Sequence, residues 1–556
     1  MKSLKKYTSL LLLICLATAC KKYVNVTNPD TLTDPTFWKN ENNVRAYSWE
    51  FYNLFNGYGN GEHTDGDFYF TDFSDDQDNS SYTQFPQTTA ASNGSWFFGY
   101  IRKANIMLER IDLTDMDDAS KKHWEGVARF FRAFQYFKLV QTFGGVPWLG
   151  HSLDISDSSE IYMPRDSHAL VMDSVLADIN FAVDNLRESD QPNTVTKNVA
   201  LALKARICLF EGTYRKYHTE LNMPDADKFL SAAKDAAQTL MTSGGYTLDK
   251  NYQTVYISDD LSGDNEVILY KRYEQGYLTH SLIAYLYHST VTSGLTKNAV
   301  ESYLCTDGEP IGVSSEYKGD DNIQNVMKNR DERLKLTIDS NELYYKGHVI
   351  NTLTSSTGYR VTKYLPDEAT LKTIPTDIAK NYTDAPLFWL PEVLLDYAEA
   401  CTELDEMGKY TLTQTDLDNS INKLRARAGV DPLILTGHQQ VGFNDPARDP
   451  DVTPLIWEVR RERRVELMMD GFRLQDLMRW KKGDYMDSNK NPDSFLGAKV
   501  PANEEIRRNS AGYIMPYAPN QQRVFEDPKN YLSAIPTSQI LLYPPDIQKD
   551  MQNPGW

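Results

Sequence analysis

Apolar residues recur at three- and four-residue steps along most of the chain, and that period predicts helices. They fall at about 40–54, 96–111, 120–143, 166–186, 198–217, 226–241, 388–404, 417–428 and 454–480. The clearest stripe runs through Val127, Phe130, Phe131, Phe134 and Phe137. Gly144-Gly145 should end that helix, and Pro147 prevents a restart. Two stretches lack the period. Residues 56–95 are rich in Gly, Asp, Ser, Thr and Asn with scattered aromatics and read as a long loop, a type often functional. Residues 246–380 read as an irregular insert with short strand-like runs at Glu266–Tyr270 and Tyr359–Tyr364. The tail from about 486 is again loop-rich.

The expected fold is therefore mainly α, with a loop-rich insert containing short strands. The pair at 198–217 and 225–241 resembles a tetratricopeptide unit, in which small residues let two helices pack closely. The expected divisions are a signal segment 1–19, a helical region 20–245, the insert 246–380 and a second helical region 381–556.

The first twenty residues follow a different rule. Lys2, Lys5 and Lys6 precede an apolar run from Leu10 to Leu16, too short to span a bilayer, and small residues lead to Cys20. This resembles a bacterial lipobox, which implies cleavage before Cys20 and a lipid thioether on its sulfur. The remaining residues 21–37 are polar, with Asn28-Pro29 and Asp34-Pro35 turns. The formal charge of −19 opposes binding to nucleic acid or to anionic lipid through a basic patch, so membrane attachment must come from the lipid.

Candidate chemistry is sparse. Cys208, Cys305 and Cys401 are odd in number and far apart, which fits neither a disulfide framework nor zinc. No GxSxG, HExxH or Walker A pattern is present, so no enzyme, metal or cofactor is expected. Asp72, Asp75, Asp76 and Asp78 read as a solvated acidic loop, with calcium or polar ligand contacts as alternatives; the spacing lacks the EF-hand order. Glu458–Glu466 sets four Arg among three Glu and reads as a structural ion network. The 34 Tyr and 9 Trp offer flat apolar faces with polar edges, a combination suited to sugar rings, although most should be core.

Ordered motifs along nearly the whole mature chain resemble the SusD/RagB family of outer-membrane nutrient-binding lipoproteins. They include Trp96, Tyr100-Ile101 and Ala104-Asn105, then Gly126–Pro147 (GVARFFRAFQYFKLVQTFGGVP). Asp307-Gly308, Asn329–Arg333 (NRDER) and Gly358-Tyr359 follow. The second half adds Pro391–Ala400, Ile421–Gly429, Glu462–Glu466 (ERRVE), Gly471–Leu477, Arg479-Trp480, Ile535-Pro536 and Gln552–Gly555. The resemblance implies a helical scaffold of tetratricopeptide-like pairs with a loop-rich ligand face. It implies capture of oligosaccharide, or peptide in RagB-like members, for a SusC-like TonB-dependent transporter in the outer membrane, with the lipid facing the cell surface. A surface glycoside hydrolase is the alternative of another class, and no motif supports it.

Two departures stand out: Trp556 where Tyr is commoner, and Lys21-Lys22 after Cys20 where surface-export signals tend to be acidic, which leaves the leaflet open. For ligand contacts the first loop offers Tyr69, Phe73, Tyr82 and Phe85, and the insert offers Tyr273, Tyr277, Tyr285 and Tyr287. Asn79 and Arg272 can supply polar groups. Trp96, at a family position, reads as packing.

Overall fold

The structure is a computed structural model. It describes residues 37–556 apart from 71–72, 80, 155, 157, 288–292, 342, 344–354 and 503–505. The signal segment, Cys20, Lys21-Lys22 and Asp72 lie outside the described residues.

The predicted helices of the first half are present. They are α1 (Glu41–Ser48, extended by a 3-10 turn to Leu54), α2 (Gly99–Arg110), α3 (Asp118–Phe143), α4 (His168–Asn185), α5 (Lys197–Tyr217) and α6 (Ala226–Ser243). Helix α3 starts where the Asp117 carboxylate accepts the Ser120 N–H at 2.7 Å, and it ends at Gly144, whose φ of 71° a residue with a Cβ would resist. Its aromatic stripe is buried, with Phe131 and Phe134 against Phe51 and Phe55 of the turn after α1 and Phe137 against Phe210 of α5. Arg132, also buried on α3, is bidentate to Asp178 of α4 at 2.7 and 2.8 Å. Helices α5 and α6 pack more closely still, because Gly212 leaves room for Leu230, whose backbone nitrogen would lie 2.9 Å from an added Cβ. Helix α2 begins three residues later than its period predicts, since Trp96 packs its ring on Phe98 and Phe143 instead, at 5.4 and 5.0 Å.

The insert holds strand β2 (Val267–Lys271), the short helix α7 (Leu282–Tyr287) and strand β3 (Ser293–Leu295). Strand β1 (Gln77–Asn79) of the first loop pairs antiparallel with β3. Strand β2 pairs with β4 (Ala385–Trp389), so the predicted helix at 388–404 begins instead with a strand and becomes α8 (Leu390–Glu406) at the Pro391 turn. The strand-like run at Tyr359–Tyr364 makes only an isolated bridge, Val361 to Ile338.

Two further expected helices are broken. The 417–428 segment divides at Ser420 into α9 (Gln414–Asn419) and α10 (Ile421–Arg427). The 454–480 segment divides into α11 (Pro454–Glu466) and α12 (Arg473–Arg479). Between them Met469 and Gly471 take φ of 65° and 88°. That turn delivers Asp470 to the core, where it accepts Lys363 Nζ at 2.8 and 2.9 Å and the hydroxyls of Tyr256 and Tyr364 at 2.8 and 2.9 Å. The molecule is thus mainly helical, and among the described residues its sheets are three two-stranded ladders.

Helix α11 is almost wholly buried despite its seven charges. Arg333 reaches Asp331, Glu462 and Glu466 at 2.6–2.7 Å. Arg425 pairs with Glu462 at 2.9 Å, and Arg463 with Asp396 and Asp476 at 2.8 and 2.9 Å. The expected ion network is therefore a core element that joins α8, α10, α11 and α12.

Candidate functional site

The β1–β3 ladder joins the first loop to the insert, setting Gln77 opposite Leu295 and Asn79 opposite Ser293. The Gln77 side-chain amide donates to the Tyr69 carbonyl at 2.9 Å and to the Ser293 hydroxyl at 3.1 Å. Thr296 donates its N–H to the Asp76 carbonyl at 2.9 Å and its hydroxyl to the Asp75 carbonyl at 2.8 Å. These bonds hold the two aromatic-bearing segments side by side.

The acidic run is not a solvated loop. Asp75, Asp76 and Asp78 are buried. Asp75 is bidentate with Arg473 at 2.7 and 2.8 Å, and Asp76 accepts Arg464 Nε at 2.7 Å. Burial alone would raise the Asp75 carboxyl, but Arg464 and Arg473 hold it down at about 2. The loop thus anchors to α11 and α12. Among the described residues no group of His, Cys, Asp or Glu is arranged to hold a metal ion.

The structure sorts the expected contact residues by exposure. Tyr69, Phe85 and Tyr273 are in the core, which removes them from the accessible set. Tyr273 is buried because β2 carries it under Tyr58; its hydroxyl donates to the Gly59 carbonyl at 2.7 Å, and its ring meets His280 at 4.6 Å. Burial drives that imidazole down to about 3, so it stays neutral. Phe85 fills a small second core with Leu477, Met486 and Phe525.

The other expected residues reach the surface in three groups. Tyr285 and Tyr287, both half-buried, lie on α7, and Tyr285 meets Phe70 edge-on at 5.4 Å. Asn79, on the adjoining strand, is also half-buried. Tyr82 packs on Tyr517 at 5.4 Å and donates its hydroxyl to the Gln522 carbonyl at 2.7 Å, while the Phe73 ring carries the Arg523 guanidinium at 4.7 Å. Tyr277 is 87% exposed on a tight turn closed by its N–H to the Glu274 carbonyl, and Arg272, 65% exposed, pairs with Glu274 at 3.0 Å. Phe70, Tyr517 and Arg523 were not expected. Phe70 sits in the same aromatic-rich loop and could have been read with it. Tyr517 and Arg523 come from the aperiodic tail, which gives no signal of its neighbours.

Comparison with known proteins places this arrangement. Residues 231–556, more than half the chain, match the family described as the SusD family. The chain belongs to the SusD family. Residues 62–209 also match a family described as starch-binding associating with outer membrane. This SusD family member is 24% identical over 492 residues to SusD-like protein P38 of Formosa agariphila, covering 84% of this chain and 88% of that one. Its fold is similar to a SusD-like carbohydrate-binding protein of Bacteroides fragilis, with TM-score 0.71, 23% identity, and 92% and 99% of the two chains covered. It is also similar to a laminarin-binding SusD-like protein, with TM-score 0.57, 18% identity, and 93% and 100% covered.

Proposed function

We propose that this SusD family member is a lipid-anchored receptor of the outer-membrane surface that captures oligosaccharide and passes it to a SusC-like TonB-dependent transporter. The observation that carries the reading is the meeting of Phe70 with Tyr285 where the β1–β3 ladder joins the first loop to the insert. Such rings present flat apolar faces beside polar groups, here Asn79 and the nearby hydroxyls, as a sugar requires. The carbohydrate-binding and laminarin-binding names of its structural neighbours support the same class of ligand. Cys20 supplies the tether, and the protein acts by binding, without turnover.

Calorimetry against a panel of neutral glycans and peptides tests this. A glycan should bind, and Tyr285→Ala and Tyr277→Ala should each weaken it by about three- to tenfold, the worth of roughly one stacking contact. Co-purification should recover a SusC-like barrel, and Cys20→Ser should release the protein from membranes. Binding to peptides alone would replace glycan with peptide as the cargo. Binding to neither, with no barrel recovered, would overturn the reading, and product release from a labelled glycan would make the protein an enzyme.

A further inference from the structure

A cleft of about 580 Å³ opens beside α11, and none of the aromatic residues above lines it. The size is that of a small-ligand site, for which roughly 300–1,000 Å³ is usual. One wall is the loop Asp445–Pro450, which is pinned at both ends. Asp445 accepts the Trp457 indole N–H at 2.8 Å and also binds Arg461. Asp449 accepts the Tyr485 hydroxyl at 2.6 Å and Lys482 Nζ at 2.7 Å. Trp457 and Tyr485, both half-buried, thus have their polar edges tied to carboxylates. What these two rings have left to offer a ligand is apolar surface.

The charges lining the cleft are mostly neutralised in place. Arg460 pairs with Glu403, Arg461 with Glu458, Arg464 with Asp76, Arg473 with Asp75, and Glu301 with Lys297. Arg448 is different. No carboxylate pairs with it among the described residues. Its Nη1 donates to the carbonyls of Asp449, at 3.4 Å, and Val452, which fixes the guanidinium. Its Nε is buried with no acceptor among the described residues. With Nε enclosed and Nη1 engaged, Nη2 is the nitrogen left for a ligand: it is not buried and makes no hydrogen bond among the described residues. Among the described residues, Lys490 lines the same cleft with no ion-pair partner, as does one acid, Asp484. A guanidinium fixed through Nη1, with Nη2 free, suits a charge-assisted hydrogen bond to one oxygen of an oxyanion.

We propose that this cleft is a second saccharide site that takes an anionic sugar residue, its carboxylate or sulfate held by Arg448 and its ring against Trp457 and Tyr485. The inference rests on the reading of the protein as a saccharide receptor. It adds selection for charge, in a cleft lined by residues other than those of the loop face, in a chain whose net charge of −19 would otherwise repel such ligands.

The test is calorimetry of the full chain with D-galacturonate, D-galactose 6-sulfate and D-galactose as probes. At least one anionic sugar should bind about tenfold or more tighter than galactose, and less tightly as salt rises. The two anionic arms separate carboxylate from sulfate recognition. Arg448→Met should abolish that preference, Arg448→Lys should restore only part of it, and neither should shift the melting temperature appreciably. Equal binding of all three sugars, binding of none, or an unchanged preference in Arg448→Met would overturn the proposal. Tyr285→Ala separates the two readings, since it should weaken neutral glycan and leave the anionic sugars unchanged. If the anionic preference failed while neutral glycan still bound in a Tyr285-dependent way, only this second site would fall.

Discussion

Helices α3 and α11 are both buried, and they are buried by opposite means. Helix α3 presents Val127, Phe130, Phe131, Phe134 and Phe137, with Arg129 and buried Arg132 paired to the single carboxylate of Asp178. Helix α11 presents Glu458, Arg460, Arg461, Glu462, Arg463 and Glu466, each closed off by a partner from another element or the next turn. The first gains from apolar area and tolerates imperfect geometry. The second sits near balance between desolvation and attraction, and it depends on every partner being present. The fold thus has one buried helix that is forgiving and one that is specific.

Removing one partner should break the comparison hardest. Arg333→Ala leaves Asp331, Glu462 and Glu466 facing one another in the core, and should cost about 3–5 kcal/mol in urea unfolding. Leu139→Ala on α3 should cost somewhat less, about 2–4 kcal/mol, because a dry cavity relaxes in part. A loss for Arg333→Ala below that for Leu139→Ala would reverse the argument.

The pH dependence sharpens it further. Asp75 sits at about 2 in the folded chain, below its ordinary value, so it stabilises above pH ~4 and that contribution fades as pH falls toward 2. Asp75→Asn should therefore be destabilised by about 2 kcal/mol at pH 7, with the gap from the parent closing between pH ~4 and ~2. The smallest effect belongs to the helix start. Thr453 accepts the Ile456 N–H at 3.3 Å, and Thr453→Ala should cost about 1 kcal/mol.

What was legible in the sequence follows the same division. The aromatic stripe and Gly144-Gly145 placed α3 to within two residues, because local pattern and local stop signals decide it. The turn between α11 and α12 was not legible. Apolar periodicity runs on through Leu467 and Leu477, and what interrupts it is the pull of Lys363 and two tyrosines on Asp470. Asp75 and Asp76 looked solvated for a related reason, since their partners Arg473 and Arg464 lie nearly 400 residues on. Tyr273 looked available in an irregular insert until β4 drew β2 inward. Tyr277 is exposed and Tyr285 half-buried, and which aromatics of the insert reach the surface was a matter of distant pairing.

The tie between Asp75 and Arg473 also sets an order of events. A chain threaded out from its N-terminus presents the first loop early, while the cations that neutralise it arrive only with the last quarter. Until then two carboxylates have no reason to leave water, and the loop cannot dock. Contacts of such sequence separation are slow to close. The face bearing Phe70 and Asn79 is therefore among the last parts to set, which makes it a marker of completed folding: a chain stopped before residue 473 would carry the helices of its first half but not that face.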